Sequence, residues 1–505
     1  MSASAVSPTF RVVSPSTGQL LAEVPDQGEA GGREAIARAR SAAPAWAALP
    51  FGERAAALRR WRTAALDSKE LLPTLVGESG KPRHEAEAFE LLYFCELIRF
   101  GISAGRRVLR PETRHPLLFM TKRTVLHRKP LGVVGVVGPW NFPLLNNAAD
   151  AVFPLLAGNA VVLKPSEVTP LTSVVMGKLW LEVGNPPGVF QVVTGLGATG
   201  AALIEQVDGV MFTGSVQTGR KVAARAGERL IPCVTELGGK SPFIVLEGAD
   251  LDAAARAAAW SGFAHSGQVC IGTERVYVEE AVAGEFERKL ADRVKALRQE
   301  VPGPDGAVEH DLGAVTAPRQ IEVVERQIAD PLKKGARVVT GGKRRTDLPG
   351  NFFEPTLLFG ATQEMEVMRE ETFGPLLPVM RVKDAGEAVR LANDSHLGLN
   401  ASVFGPEARA IEVANAIQSG NTIVNDVLVH YFVVEAPLGG IKASGLGVRH
   451  GVEGMRQWTR LESVTVNRPF LGPVARFISG KLAFPYDRRV LGLLRKATRL
   501  LYRRG

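Results

Sequence analysis

Cysteine is scarce: Cys95, Cys233 and Cys270 are the three in 505 residues, far apart in the chain. That scatter excludes a disulfide framework and a cysteine-built metal cluster, so no metal site is expected. It suits free thiols in a reducing compartment, and a cytoplasmic setting follows as the expectation. No run of about 18 apolar residues occurs, which removes a membrane-spanning helix. Met1 to Arg11 lacks a charged start followed by an apolar core, so no signal peptide is read there. Low-complexity tracts and internal repeats are absent, and the 53 glycines and 32 prolines are scattered as turns rather than gathered in a linker.

Most of the chain also lacks an excess of either charge. The net charge is +9, yet Arg468 to Gly505 alone carries ten Lys/Arg against the single acid Asp487, and the preceding residues carry 51 of each sign. The body is neutral and the basicity belongs to a C-terminal tail, so a general nucleic-acid-binding function is not expected.

What is present is globular. The chain is 45% hydrophobic and 22% charged, and its length suggests about three domains. Residues 33–49 and 53–66 have apolar positions at helical spacing. A basic segment, 106–130, leads into the apolar run Leu131-Gly-Val-Val-Gly-Val-Val137, fit for a buried parallel strand. Strand-like and helix-like segments then alternate: 160–163 before a helix near Thr169, 189–193 before a helix over 200–206, and 209–212 before a helix from Gln217. This is the rhythm of a doubly wound sheet. A second α/β series runs from Phe243 to about Val424, and a cleft between two such domains is a common place for a site.

Several segments suggest chemistry, and each has a plainer reading. Cys270, in Gly267-Gln-Val-Cys-Ile-Gly272, is a nucleophile candidate, although a cysteine between Val and Ile is more often core. Glu236 opens Glu236-Leu-Gly-Gly-Lys-Ser-Pro242, where two glycines permit a sharp turn; a lone Glu there is usually solvated. In Gly138-Pro-Trp-Asn-Phe-Pro143, Asn141 can offer N–H groups to a developing oxyanion, or the segment is a packed turn. Lys164-Pro-Ser-Glu167 follows a strand, where open α/β sheets bind ligands. Gly195-Leu-Gly-Ala-Thr-Gly200 matches the dinucleotide fingerprint in form, but position 220, where an acid belongs, is Arg220. Phe212-Thr-Gly-Ser215, ending at Gly219, also follows a strand and opens a helix whose free N–H groups can hold phosphate.

Taken in order with Glu370-Glu-Thr-Phe-Gly-Pro375, these segments resemble the aldehyde dehydrogenase superfamily over residues 10–467, with its 34-residue separation between acid and cysteine. The resemblance implies two Rossmann-type α/β domains plus a small oligomerisation element. The coenzyme domain would be 1–112 and 132–240, the catalytic domain 241–440, and the oligomerisation element 113–131 and 455–467; 468–505 is the tail. It implies NAD-dependent oxidation of an aldehyde to the carboxylic acid, with water as co-substrate, in a homodimer or homotetramer. Cys270 would be the nucleophile, forming a thiohemiacetal and then a thioester. Asn141, with the Cys270 backbone N–H, would hold the oxyanion, and Glu236 would activate the hydrolytic water. Lys164 and Glu167 look like adenosine-ribose contacts, Ser215 like a pyrophosphate contact, Glu371 like the nicotinamide-ribose contact and Phe373 like the ring's packing surface. Trp140, Gly214, Gly219 and Leu237 complete the expected coenzyme set. A carboxylate at Glu167 favours NAD over NADP, which stays the alternative.

The segments Asn425-Asp-Val-Leu-Val-His430, Pro437 to Gly445 and His450-Gly451 are similar to the fatty-aldehyde branch, and Val269, Ile271 and 431–434 are mainly apolar. An apolar aldehyde, aliphatic or aromatic, is therefore expected; parts of the body also resemble succinic-semialdehyde enzymes, and an arginine not assigned to a position could bind a distal carboxylate. Two other classes stay open. A cysteine hydrolase would need a His partner, for which only His265 is near in sequence. A non-catalytic, membrane-associated scaffold of the same fold would act through the tail. There, apolar residues at 490, 493, 494, 497, 500 and 501 form one stripe of a basic amphipathic helix. Such a helix either packs on protein or lies in an anionic membrane surface.

Overall fold

A computed structural model describes residues 8–114, 122–301, 310–467, 484 and 488–503. The chain divides into two compact units, residues 1–108 with 130–459, and 109–129 with 460–505.

The larger unit is built on two sheets. The first contains the parallel strands β1 (Val133–Val137), β2 (Ala160–Lys164), β3 (Phe190–Val192), β4 (Gly209–Thr213) and β5 (Cys233–Glu236). Their spatial order is β5-β4-β1-β2-β3, and the short strand Gly445–Leu446 pairs antiparallel outside β5. In β1, Val133, Val134 and Val136 are fully buried. A continuous β-branched run covered on both faces makes a central parallel strand, as its sequence predicts. Helices 28–48 and 197–204 cover one face, where Ala35, Ile36 and Ala39 join Val133, Val162, Leu203 and Phe212 in one apolar cluster.

The second sheet contains β6 (Pro242–Val245), β7 (Arg275–Glu279), β8 (Arg337–Thr340), β9 (Thr356–Phe359), β10 (Leu376–Val382), β11 (Asn400–Phe404) and β12 (Asn421–Val424). The order is β8-β9-β10-β7-β6-β11-β12, parallel except for β8 at one edge. Its core gathers Ile244, Tyr277, Val324, Met365, Leu376 and Val403. The two α/β series read from the sequence are these two sheets, and they are Rossmann-like in their parallel, helix-covered build.

Sheet direction decides where the chemistry gathers. Segments 138–143, 164–167, 213–215 and 236–239 leave the carboxyl ends of β1, β2, β4 and β5, the ligand-binding edge of an open parallel sheet. From the second sheet the contribution is reversed: Cys270 precedes β7, and Glu371 and Phe373 precede β10.

The smaller unit holds an antiparallel sheet of Glu112–Arg114, Lys122–Pro130 and Thr459–Asn467, with the last strand at an edge. The tail reads as a helix at Arg488–Tyr502, and its described side chains are mostly exposed, including Leu491, Leu493, Leu494 and Leu500. The rest of the tail segment, like residues 1–7 of the N-terminus and 115–121 of the expected oligomerisation element, lies outside the described residues.

Candidate active site

A cavity of about 470 Å³ is lined by residues from both sheets. It brings together Trp140, Asn141, Gly214, Ser215, Glu236, Leu237, Cys270, Glu371 and Phe373. Lys164 and Glu167 lie outside this lining, at the end of neighbouring β2, where Lys164 Nζ stands 3.4 Å from Glu167 Oε2. Gly219 also lies outside it, in helix 216–228, packed so closely on Leu237 that a Cβ would enter the leucine side chain. The glycine-rich segment 195–200 falls after edge strand β3 and takes no part in the cavity.

The approach to Cys270 is a tight left-handed path. His265 (φ 48°), Ser266 (φ 53°) and Gly267 (φ 75°) follow one another in a conformation that costs a residue with a Cβ roughly 1–2 kcal/mol. Surrounding bonds hold it. The His265 N–H donates to the Glu85 carboxylate at 3.0 and 3.1 Å, Ser266 Oγ donates to the Gly313 carbonyl at 2.8 Å, and Gln268 Nε2 donates to the His265 carbonyl at 2.8 Å. The His265 ring packs edge-on against Phe142 at 5.3 Å, and its nitrogens have no hydrogen-bond partner among the described residues. It is not placed to take a proton from Cys270, whose sulfur instead lies 3.8 Å from the Tyr431 hydroxyl.

Asn141 is buried, and its Nδ2 donates to the Gln268 carbonyl at 2.9 Å. That bond fixes which end of the amide is the donor and leaves its second N–H uncommitted. Beneath it lies charge that periodicity does not reveal. Lys81 and Glu90 form a fully buried pair; Lys81 Nζ also donates to the Asn141 carbonyl at 2.9 Å, and Glu90 accepts the Leu144 and Leu145 N–H groups. Removing one partner of such a pair costs about 3–5 kcal/mol, so the Asn141 turn is firmly seated.

Glu236 ends β5 and is buried, with Oε1 unpartnered among the described residues. Burial raises its carboxyl to about 8, and the Arg449 guanidinium opposes the rise. Burial likewise raises the Cys270 thiol to about 11, again opposed by Arg449 and by the Tyr431 hydrogen bond. Glu371, raised by burial to about 8, accepts the Gly239 N–H at 2.7 Å. Gly239 is required for close approach: a Cβ there would stand 2.6 Å from the Cys270 carbonyl oxygen. The Lys240–Glu274 pair (2.7 Å) supports the far wall, where Glu274 accepts the N–H groups of Thr372 (3.0 Å) and Phe373 (2.9 Å). This sets the Phe373 ring edge-on to Trp140 at 5.5 Å.

The donor set suits a ligand bearing phosphate, hydroxyls and a flat ring. Helix 216–228 begins at the N-cap Ser215, whose Oγ accepts the Thr218 N–H at 3.3 Å, and has no acid in its first turn, so the positive end of the helix suits an anion. Carboxylates and an ammonium suit hydroxyls, and Trp140 and Phe373 suit a ring. Among the described residues no group of three His, Cys, Asp or Glu is arranged to hold a metal ion, and no helix is long and apolar enough to cross a membrane.

A second, small apolar cavity of about 30 Å³ adjoins the neighbours of Cys270. It is lined by Val269, Ile271, Phe89, Phe142, Leu145, Leu428, Tyr431 and Phe432. Tyr431 was legible only as part of an apolar stretch; its hydroxyl facing a sulfur 161 residues away left no local signal.

Known proteins agree with this architecture. The model of the aldehyde dehydrogenase family matches residues 2–464. A protein of Mycolicibacterium smegmatis, provisionally named succinate-semialdehyde dehydrogenase (NADP(+)), is 40% identical over 456 residues, covering 90% of this chain and 87% of its own. A 4,4'-diapolycopene aldehyde oxidase of Methylomonas sp is 39% identical, covering 91% and 86%. The crystal structure of a Mycobacterium tuberculosis aldehyde dehydrogenase complexed with NAD+ superposes with a TM-score of 0.86 at 34% identity, covering 91% of this chain and 95% of that one. With two parallel sheets, a cysteine and a carboxyl facing one cavity, and this likeness along nearly its whole length, the chain belongs to the aldehyde dehydrogenase family and is an aldehyde oxidoreductase.

Proposed function

We propose that the protein oxidises an apolar aldehyde to the carboxylic acid with NAD, using Cys270 as nucleophile and Glu236 as general base. The observation that carries this is the single cavity into which both face. The coenzyme residues fit a nicotinamide dinucleotide: Lys164 and Glu167 for the adenosine ribose, Gly214, Ser215 and the helix amides for the pyrophosphate, Glu371 for the second ribose, and Trp140, Leu237 and Phe373 beside the ring, with Gly219 letting Leu237 close in. When bound, that group supplies the acceptor for the aldehyde hydrogen.

The residues of the chain do the rest. The Cys270 thiolate adds to the carbonyl carbon, and the resulting oxyanion is held by the free N–H of Asn141 and the Cys270 backbone N–H. Oxidation leaves a thioester on Cys270. Glu236 takes a proton from water, which attacks the thioester and releases the acid and the thiolate.

The apolar substrate is supported by the small cavity, which contains no Lys or Arg to pair with a distal carboxylate. The relative named for diapolycopene aldehyde stands on this side, and those named for succinate semialdehyde on the other. NADH formation against a panel of alkanals, aromatic aldehydes and succinic semialdehyde tests the reading. A higher kcat/KM for succinic semialdehyde overturns the substrate class, and undiminished turnover by Cys270→Ala overturns the mechanism.

We further place the tail helix in an anionic lipid surface. Leu491, Leu493, Leu494 and Leu500 are exposed beside Arg488, Arg495, Lys496 and Arg499, and at 15 residues the helix suits the interface rather than a span. The exposed edge strand Thr459–Asn467, with Leu461, Val464 and Val466 open to solvent, supports assembly into a dimer or tetramer by strand pairing.

A further inference from the structure

Arg449 is a cation where the site has no obvious need of one. Its side chain is 2% exposed, and it touches neither cavity described above. Nη1 donates to Asn146 Oδ1 and Nη2 to Thr213 Oγ1, while Asp150 Oδ2 stands 3.1 Å from Nη2 as a charge contact rather than an aligned hydrogen bond. Asn146 lies in a π-helical turn, Leu144–Ala148, which directs its amide inward. The same Oδ1 accepts the Tyr431 hydroxyl at 3.4 Å, and that hydroxyl lies 3.8 Å from Cys270 Sγ. A continuous chain of contacts therefore runs from the guanidinium through Asn146 and Tyr431 to the sulfur, joining residues as far as 303 apart in the sequence.

Resting on Cys270 as the reacting group, we propose that Arg449 is a positioning residue that favours the Cys270 thiolate, by its charge and by orienting the Tyr431 hydroxyl through Asn146. Without a cation, a half-buried thiol beside Glu236 and Glu371 stays protonated. Arg449 is the cation acting against that burial for both Cys270 and Glu236. Burial alone would weaken the guanidinium's hold on its proton; Asp150, Tyr431 and Glu236 outweigh it. The ionisable groups around the cation are thus Asp150, Glu236, Cys270, Tyr93, Tyr431 and His450. Asp150, held up to about 6 by its own burial, is ionised at neutral pH and keeps Arg449 seated. Tyr93 donates to or accepts from His450 Nε2 at 2.7 Å and packs edge-on to Tyr431, fixing the phenol that ends the chain.

The test is the rate at which iodoacetamide alkylates the full-length enzyme, read at the Cys270 peptide by mass spectrometry across pH. This equilibrium releases the thiol proton to water and needs no turnover. Arg449→Met should raise the pH midpoint by about one unit, roughly tenfold slower alkylation below it. Arg449→Lys should shift it less than half as far, and Tyr431→Phe, which keeps the ring packing, should shift it upward. A folded Arg449→Met enzyme with the parent's profile overturns the proposal, as does a shift by Arg449→Lys equal to that of Arg449→Met. Should Arg449→Met fail to fold, an unmoved Tyr431→Phe profile overturns it instead. Failure here leaves the parent's Cys270-dependent turnover intact, whereas failure of the nucleophile assignment appears as activity surviving in Cys270→Ala.

Discussion

Asn141 Nδ2 donates to the carbonyl of Gln268, two residues before Cys270, at 2.9 Å. The bond ties the loop after β1 to the loop before β7 and aims the remaining amide hydrogen. Asn141→Ala should lower kcat by about 10²–10³ while leaving NADH binding, read by fluorescence titration, within a few-fold. Loss confined to KM would show that the amide binds ground state rather than oxyanion.

Glu236 should divide the two half-reactions. Glu236→Gln should give a burst of NADH followed by slow turnover, because the base serves mainly the hydrolytic water. In the parent enzyme the carboxyl, raised by burial to about 8, is mostly protonated below that value and becomes a competent base above it. Deacylation should therefore rise with pH through about 8, and this rise should be absent in Glu236→Gln. Stopped-flow traces from pH 6.5 to 9.5 check both statements; a parent profile flat across that range contradicts the assignment.

Coenzyme choice should turn on Glu167, whose side chain is about half exposed beside Lys164. A carboxylate there accepts a bond from a 2′-hydroxyl and repels a 2′-phosphate. The ratio of kcat/KM for NAD over NADP should exceed one and fall in Glu167→Gln. A parent preference for NADP, the coenzyme in several relatives' names, reverses the conclusion.

The tail helix should bring the enzyme down with vesicles containing phosphatidylserine, and salt should weaken the binding. Replacing Arg495, Lys496 and Arg499 together with Gln should remove about 1 kcal/mol of affinity per charge. Equal sedimentation of parent and variant, or none by either, leaves packing on protein as the tail's role.

Much of this arrangement was legible because strands announce themselves. The valines of β1 and the alternation after it locate the first sheet, and the turns at the ends of its strands locate Asn141, Lys164, Ser215 and Glu236. The helix expected from Arg33 starts at Gly28 instead: Gly28, Gly31 and Gly32 carry no apolar periodicity to mark its first turn. The buried polar residues were illegible for a different reason. Glu78, Lys81, Glu85 and Glu90 have the spacing and composition of a solvated helix face, yet all four are buried. Arg449 sits in a glycine-punctuated turn that reads as surface. Its partners Asn146 and Thr213 are 303 and 236 residues away, and only tertiary contact turns it into part of a site.

The last strand of the first sheet has a consequence for the order in which the protein comes into being. Gly445 pairs with Glu236, the Leu237 N–H donates to the Ser444 carbonyl at 2.9 Å, and Ser444 Oγ donates to the Gly238 carbonyl at 2.7 Å across 206 residues. During synthesis, β1 to β5 emerge and can associate while this outer strand does not yet exist. The turn bearing Glu236 is clamped only when the final tenth or so of the chain arrives. Glu236 thus waits through the synthesis of some 206 further residues before the contacts that hold its turn exist, and the Glu236 side of the cavity is completed only near the end.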